Sequence, residues 1–180
     1  MVIINPKNFK VKHSDLFFFD TNIWILIFAP IANYQKRDQK AYSDLLNQLI
    51  SRNSMICINS IVISEFANVL LRIDYRNWVS VTKPVSSDYK RDFVGSESYK
   101  YSVESVKMLI EKILKIPIIE KVSDGFNHIS IDGVYKNFGE ADFNDAYIAE
   151  SARINKYIIV TNDADFTKID ADISIVTTRI

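Results

Sequence analysis

The hydrophobic residues of this chain form short, mostly apolar runs that are separated by longer segments, and the first of these runs is wholly apolar. The runs are Leu16 to Phe19, Met55 to Asn59, Ile118 to Val122, Tyr157 to Val160 and Ile173 to Val176. Short runs without polar alternation are typical of parallel strands that are buried on both faces. The pattern therefore predicts five strands, the last of them near an edge of the sheet.

The segments between these runs carry apolar residues three or four positions apart, which is the spacing of an amphipathic helix. We predict helices over Ile23 to Phe28 and Tyr34 to Ser51, from Ser60 onward, over Val103 to Ile113, and from about Asp142 onward. Strands that alternate with helices pair in parallel through right-handed crossovers. We therefore expect a three-layer α/β/α sandwich with a five-stranded parallel sheet.

The periodicity fails in two segments. Charged and aromatic residues are interleaved without a clear period between Ile73 and Lys100, and we predict an irregular insertion near residues 73–100. Phe126 to Phe138 shows only weak helical spacing, and no element is assigned to it. A chain of 180 residues with 48% hydrophobic residues suffices for one continuous core, so we predict a single domain over residues 1–180.

Charge and cysteine content narrow the functional classes. Lysine plus arginine equals aspartate plus glutamate at 22 each, so the molecule as a whole does not attract nucleic acid or an anionic membrane. The N-terminus lacks the apolar segment of a signal peptide, and no apolar stretch approaches the length that crosses a bilayer. The single cysteine, Cys57, excludes an intramolecular disulfide. We expect a cytoplasmic protein without a membrane partner.

Four acidic residues lie just after predicted strands or in the first turns of the following helices: Asp20, Glu65, Asp145 and Asp163. The carboxyl ends of parallel strands meet at one edge of an open sheet, so these carboxylates are expected to share a small cavity. Carboxylates at close range repel one another, and protons or cations must neutralise such a cluster. Oxygen-only ligation suits Mg²⁺ or Mn²⁺, and no Cys or His lies near the acids in sequence to indicate zinc.

Other chemistries have weaker support. Each acid alone could be a helix cap or a solvated side chain, so the prediction depends on all four together. No Gly-rich turn follows the first strand, which argues against a dinucleotide or P-loop site. Ser14, Ser60 and Ser64 have no His at a recognisable spacing, so a nucleophilic triad is poorly supported.

Several motifs together resemble the PIN-domain family. They are Phe17-Phe18-Phe19-Asp20-Thr21-Asn22, Ser64-Glu65, Asn144-Asp145-Ala146-Tyr147-Ile148-Ala149 and Ile159-Val160-Thr161-Asn162-Asp163-Ala164-Asp165-Phe166. The resemblance runs from about Phe17 to Val176, and the last two motifs are its most specific part. The best-known bacterial members of this family are the VapC-like toxins of toxin–antitoxin pairs.

The resemblance implies a fold, an activity and a set of site residues. The fold is a five-stranded parallel sheet flanked by helices, and the activity is Mg²⁺- or Mn²⁺-dependent cleavage of RNA to 5′-phosphate and 3′-hydroxyl ends. Position by position, the catalytic and metal-binding acids of the family match, in order, Asp20, Glu65, Asp145 and Asp163. Asn22 matches a small polar residue that supports the first acid, and Thr161 matches a hydroxyl before the fourth.

Some assignments stay open at this point. Asp142 and Asp165 lie close in sequence to Asp145 and Asp163, and either could share in metal binding, although we favour the latter pair. One metal ion or two both fit the number of acids.

The segment near residues 73–100 has two interpretations. Four of its basic residues could contact phosphates: Arg76, Lys83, Lys90 and Arg91. Tyr75 or Trp78 could then stack on exposed bases. The alternative is a solvated loop whose aromatic side chains anchor it to the protein or to a second subunit. We favour this alternative because acidic residues in the same segment dilute its positive charge.

The predicted function is a divalent-metal-dependent endoribonuclease, the toxin of a toxin–antitoxin pair, with RNA as substrate and a small antitoxin protein as inhibitor. The resemblance also implies a homodimer. The main alternative is a noncatalytic RNA-binding or scaffold domain with the same fold, which salt bridges from the acids to Lys or Arg would favour. A further alternative is a DNA-directed nuclease of similar architecture.

Overall fold

A parallel sheet forms the centre of the protein, in a computed structural model that describes residues 1–12, 14–29 and 36–179. The strands in these residues are β1 (Val2–Ile4), β2 (Leu16–Phe19), β3 (Ile56–Ile58), β4 (Ile119–Lys121), β5 (Tyr157–Val160) and β6 (Ser174–Val176). In space they follow the order β1-β6-β5-β2-β3-β4, and every neighbouring pair is parallel.

Helices connect the strands. Those in the described ranges are α1 (Thr21–Phe28), α2 (Lys36–Ser51), α3 (Ser60–Thr82), α4 (Glu97–Leu114), α5 (Ile131–Asn137) and α6 (Phe143–Asn155). Helix α1 packs on α2 and α3, and α3 packs on α4, whereas α5 packs on α6 and α6 lies against β5. Helices thus flank a parallel sheet, and the predicted three-layer α/β/α sandwich is confirmed.

The described sheet has six strands, so the predicted number of five was wrong by one. The additional strand is β1, whose residues pair with Ser174 to Val176 of β6. It is three residues long and lies at an edge with Val2 exposed, so it carries little hydrophobic signal in the sequence. As a result β6, the predicted fifth strand, lies one position in from the edge.

The aromatic run of β2 lies at the centre of the core. Phe17, Phe18 and Phe19 are all buried, because β2 is flanked by β3 and β5. The register pairs Phe19 with Val160 of β5. The residues that follow these two strands therefore emerge side by side at the same edge of the sheet.

The segment predicted as an irregular insertion near residues 73–100 is helical over much of its length. Helix α3 continues to Thr82 and α4 begins at Glu97. The residues between them include a single π-helical turn, Tyr89–Phe93. Lys83 ends α3 in the left-handed conformation, with φ of 45°, and Pro84 follows it. A proline just after a helix end is the signal that locates this boundary.

The prediction failed there because α3 turns its later residues toward a separate aromatic cluster. The members of this cluster pack ring against ring: Tyr75, Trp78, Tyr89, Phe93 and Tyr99. Phe93 is fully buried at its centre. The later turns of α3 pack on this aromatic cluster and not on the sheet, so they lack the regular apolar stripe by which the other helices were predicted.

The segment left without an assignment contains a 3₁₀ turn, Phe126–His128, followed by α5. Helix α2 is described from Lys36, and its predicted start at Tyr34 lies outside the described residues. None of the helices in the described ranges has the length and apolar character needed to span a bilayer.

Helix α5 approaches α6 closely at Gly133. A Cβ atom at this position would lie 2.7 Å from the carboxyl carbon of Glu150, a buried side chain that accepts two hydrogen bonds from Arg153. A larger residue at position 133 would require the carboxylate end of the Glu150 side chain to move. This contact lies on α6, the helix that also carries Asp145.

Candidate active site

The predicted acids lie at the carboxyl edge of the sheet. Asp20 follows β2 and caps α1, and Asp163 follows β5. Glu65 lies in the second turn of α3, and Asp145 lies in the first turn of α6. The charges of the other three all raise the pKa of Asp145, so the structure brings the four carboxylates into one electrostatic cluster. We call these four residues the acidic cluster.

Asp20 is held rigidly within this cluster. It is only 4% exposed and accepts three hydrogen bonds. The backbone N–H of Thr21 donates to Oδ1 at 2.6 Å. Asn22 Nδ2 and Thr161 Oγ1 donate to Oδ2 at 2.5 and 2.8 Å. These donors fix the orientation of the carboxylate before any ligand binds.

The pKa of Asp20 is raised to about 7. Burial is the largest cause, because it disfavours the charged form, and the nearby charges of Glu65 and Asp163 add to it. The hydrogen bonds from Thr161 and Thr21 act in the opposite direction but do not cancel the effect of burial. Near neutral pH this carboxyl group is therefore divided between its protonated and ionised forms.

Asn22 and Thr161 link the start of α1 to the turn after β5. Asn22 Nδ2 donates to Thr161 Oγ1 at 3.1 Å, and Asn22 Oδ1 accepts the backbone N–H of Asn162 at 3.0 Å. The same Thr161 hydroxyl accepts the backbone N–H of Asp163 at 3.0 Å. Both side chains thus bond to Asp20 and to the turn that carries Asp163.

Glu65 is tied to the first motif through Thr21. The hydroxyl of Thr21 donates to Glu65 Oε2 at 3.0 Å. Burial raises the pKa of Glu65, the bond from Thr21 lowers it, and the charge of Asp142 raises it further. No role was predicted for Thr21 from the sequence. The feature of the sequence that could have indicated a role is that Thr21 lies between Asp20 and Asn22. It is also the first residue of α1, which packs on α3.

Asp145 has the least compensated charge of the cluster. It is partly buried, and within the described residues no donor is found for its carboxylate oxygens. Burial is the main cause that raises its pKa to about 8, followed by the charge of Asp20 and then by other acids, among them Asp142. A carboxylate in this setting needs a proton or a cation nearby.

The structure distinguishes the two acids whose roles were left open. Asp142 caps α6, where its Oδ1 accepts the backbone N–H of Asp145 at 2.9 Å, and its charge acts on Asp145 and Glu65. Asp165 instead pairs with Lys168 at 2.7 Å, and its side chain is 46% exposed. Asp142 therefore lies at the rim of the acidic cluster, whereas the charge of Asp165 is compensated outside it.

Tyr42 supports the site in a way that the sequence did not reveal. Its hydroxyl donates to the carbonyl oxygen of Thr161 at 2.8 Å and accepts the backbone N–H of Thr178 at 3.0 Å. The side chain is fully buried. In the sequence Tyr42 was only one more apolar position of α2, because its long-range hydrogen bonds leave no local pattern.

The four candidate RNA-binding residues near positions 73–100 lie on different elements. Arg76 is on α3 and Lys83 caps its end, whereas Lys90 and Arg91 lie in the π-helical turn. The guanidinium of Arg91 makes two 2.8 Å contacts with Asp92. Tyr75 and Trp78, the proposed stacking residues, pack inside the aromatic cluster. This packing favours the interpretation in which the aromatic side chains anchor the segment.

The donor chemistry of the acidic cluster fits a hard divalent cation. Its members offer carboxylate oxygen only, which is the ligand type of Mg²⁺ and Mn²⁺. Within the described residues, none of the four acids forms an ion pair with Lys or Arg. In the same part of the chain, no three acidic, His or Cys side chains stand in an arrangement that could hold a metal ion. Binding would therefore require the side chains to converge.

Comparisons with known proteins bear on the family and the fold of this chain. A family model described as the PIN domain matches residues 17–172. Among solved structures, the chain is similar to the crystal structure of VapBC2 from Rickettsia felis bound to a DNA fragment from their promoter. That match has a TM-score of 0.51 and 17% sequence identity, and it covers 90% of this chain and 98% of the other. A search of curated proteins found no match.

Proposed function

This chain belongs to the PIN-domain family, and from that premise we propose that it is a Mg²⁺- or Mn²⁺-dependent endoribonuclease whose active site is the acidic cluster. PIN domains are generally nucleases. The observation that carries the proposal is Asp145, a partly buried carboxylate without a hydrogen-bond donor in the described chain and with other acids around it. Such a charge costs free energy unless a cation or proton neutralises it.

We propose that Asp20, Glu65, Asp145 and Asp163 hold the metal ion. Bound there, the ion would lower the pKa of a water molecule and neutralise charge on the phosphodiester. The side chains of this protein would supply position and protonation. Thr21, Asn22 and Thr161 would keep two of the acids oriented, through the hydrogen bonds described above.

Protonation would set the pH dependence of this site. The pKa values of Asp20 and Asp145 are about 7 and about 8, so both hold protons for part of the time at neutral pH. A divalent cation binds the ionised form, so its binding must displace those protons. We therefore expect metal affinity, and with it RNA cleavage, to rise between about pH 6 and pH 8.5.

The direct test is cleavage of a labelled single-stranded RNA by the purified protein with Mg²⁺, with Mn²⁺ and with EDTA. We expect cleavage only with metal, and 5′-phosphate ends on the products. Asp145→Asn should abolish it, whereas Asp132→Asn, which changes an exposed acid at the start of α5, should not. Absence of metal-stimulated cleavage in the wild-type protein would contradict the proposal. A single-stranded DNA of the same sequence distinguishes the DNA-directed alternative.

We further propose that the nuclease is the toxin of a toxin–antitoxin pair in the cytoplasm, and that a small antitoxin protein inhibits it. The support for this role is that the chain shares the fold of VapBC2, at 17% identity. Expression of the chain by itself should stop bacterial growth, and co-expression of a small neighbouring reading frame should restore it. Growth unaffected by the active enzyme would contradict the toxin role while leaving the chemistry intact.

The noncatalytic alternative makes a different prediction for the same acids. It would be favoured by acids engaged with Lys or Arg, and no such ion pair to the acidic cluster is found in the described residues.

A homodimer also stays a prediction. Sedimentation equilibrium of the purified protein measures it directly, with twice the mass of the 20.8 kDa chain as the expected result.

A further inference from the structure

Two arginines on α3 share one helix face with Glu65 of the acidic cluster. Arg72 and Arg76 lie seven and eleven residues after Glu65, which corresponds to two and three helical turns. At a rise of about 1.5 Å per residue, their Cα atoms lie about 10 and 16 Å from that of Glu65 along the helix axis. The arginines therefore form a line that leads away from the acidic cluster. We call Arg72 and Arg76 the basic stripe.

The surface along the basic stripe is concave. A cavity of about 300 Å³ is lined by Asn68, Val69, Arg72, Ile73 and Arg76. Both arginines are exposed, and neither forms an ion pair with any residue that the structure describes. Two exposed cations on the neighbouring elements differ in this respect, since Arg91 is paired with Asp92 and Lys107 with Glu104.

Arg72 is also held in place. Its guanidinium carbon lies 3.9 Å from the centroid of the Tyr89 ring, which is the geometry of a cation–π contact. Tyr89 is fixed in turn by ring contacts with Tyr75 and Phe93. The contact occupies one face of the guanidinium and leaves its N–H edges available for a phosphate. The segment between α3 and α4 thus contacts Arg72 through Tyr89.

We propose that the basic stripe binds the phosphodiester backbone of a single-stranded RNA whose neighbouring phosphate lies at the acidic cluster. The inference rests on the proposed function and names the surface along which the substrate would run. Backbone contacts of this kind are independent of sequence and position the strand. The net charge of the chain is zero, so the protein as a whole does not attract RNA. The two arginines would supply local positive charge, which offsets the repulsion between the acids and the phosphates.

Binding measured without cleavage tests the inference separately from the chemistry. A fluorescently labelled oligo(U) RNA is titrated with protein in EDTA, and its anisotropy is followed over a series of KCl concentrations. On a single strand, the slope of log K against log [salt] falls in magnitude by about 0.7 for each phosphate that the protein no longer neutralises. We expect a decrease of about 0.7 for Arg72→Ala or Arg76→Ala and about 1.4 for the double variant.

Two further variants sharpen the test. Arg72→Lys keeps the charge but loses the planar fork, so it should keep the salt slope and bind more weakly. Lys112→Ala removes an exposed charge from α4 that also has no ion pair in the described chain, and it should leave the slope unchanged. Oligo(A) should give the same changes as oligo(U), because phosphates carry no sequence information.

A double variant that folds normally and keeps the wild-type slope would overturn the inference, and circular dichroism checks the fold. Preferential binding of a polyglutamate peptide, abolished in the double variant, would also overturn it by assigning the arginines to an acidic protein partner. Arginine-dependent RNA binding without metal-dependent cleavage would contradict the proposed function but support the basic stripe. Metal-dependent cleavage together with an unchanged salt slope in the double variant would support the proposed function and contradict the role of the basic stripe.

Discussion

The two sides of the acidic cluster differ in how their carboxylates are held. On the side of β2 and β5, Asp20 accepts three hydrogen bonds and is almost completely buried. On the side of α6, Asp145 is partly exposed and has no hydrogen-bond donor in the described chain. Burial, followed by the charges of neighbouring acids, raises the pKa of Asp20 to about 7 and that of Asp145 to about 8.

This difference suggests that the two sides would contribute differently to metal binding. The Asp20 side is organised in advance, because Asn22 and Thr161 bond to Asp20 and to each other. The Asp145 side retains uncompensated charge, which a cation would relieve. A metal ion would then find one ligand fixed and another able to move toward it, which is consistent with a described site that holds no preformed set of three ligands.

Loss of a proposed metal ligand should have the largest effect. Asp20→Asn and Asp145→Asn should each lower metal-dependent RNA cleavage by more than about 100-fold, beyond the loss expected for residues that only support ligands. Initial rates with labelled RNA measure this. Only the Asp20 change should also disturb the fold, because Asn cannot accept all three of its hydrogen bonds. Equal activity of wild type and Asp145→Asn would show that Asp145 of α6 is not needed for cleavage.

Loss of a supporting residue should have an intermediate effect. Asn22→Ala removes the donor to Asp20 and the acceptor for the N–H of Asn162, and we expect a loss of Mn²⁺ affinity of about 10- to 100-fold. Fluorescence or calorimetric titration with Mn²⁺ measures it. The control is Asn47→Ala, which changes an exposed position of α2. If the two variants bind Mn²⁺ equally well, metal binding does not depend on the preorganisation of Asp20.

The stability of the metal-free protein should depend on pH through the acidic cluster. Asp145 has a pKa of about 8 when folded and an ordinary value of 3.8 when unfolded. Between these values the folded state binds more protons than the unfolded state, so the free energy of unfolding falls as pH rises from about 4 to about 8.

Asp145→Asn removes this dependence at one position. In EDTA we expect the variant to exceed wild type by about 1–3 kcal/mol at pH 8 and to match it near pH 4, as urea denaturation would show. Saturating Mg²⁺ at pH 8 should reverse the order, because only the wild type is stabilised by binding the ion. A variant that is less stable than wild type at pH 8 in EDTA would contradict the account of Asp145.

The smallest effect is expected at Tyr42. Tyr42→Phe removes the hydroxyl that accepts the N–H of Thr178 and donates to the carbonyl of Thr161, so both hydrogen bonds are lost. We expect the free energy of unfolding to fall by about 1–2 kcal/mol. Cleavage should fall only a few-fold, since the turn after β5 keeps its other hydrogen bonds. Tyr101→Phe, on the exposed surface of α4, is the matched control. A loss no larger than that of the control would show that Tyr42 is dispensable for the turn.

The arrangement of strands and acids could be predicted from the sequence because both depend on local pattern. The Phe17 to Phe19 run identifies a buried strand, and a residue that follows a parallel strand must lie at the carboxyl edge of the sheet. Asn22 and Thr161 were assigned through their match to motifs of the PIN-domain family, and both bond to Asp20 in the structure. Whether these residues bind metal stays a prediction.

Other features depend on contacts between distant residues and leave no such pattern. The hydrogen bond from Thr21 to Glu65 spans 44 positions, and those of Tyr42 span more than 100. Strand β1 lies at the edge of the described sheet, where it pairs with β6, a strand far from it in sequence. The later turns of α3 were misassigned because Tyr75 and Trp78 pack on residues that follow the helix in sequence, away from the sheet.

The most direct test of the central claim is calorimetric titration of the wild-type protein with Mn²⁺ at pH 7, in two buffers that differ in ionisation enthalpy. The difference between the buffers gives the number of protons released on binding. We predict saturable binding with release of about one proton per ion, and weaker binding with less release in Asp145→Asn. Absence of saturable binding, or identical titrations for the two proteins, would contradict the assignment of the acidic cluster as a metal site.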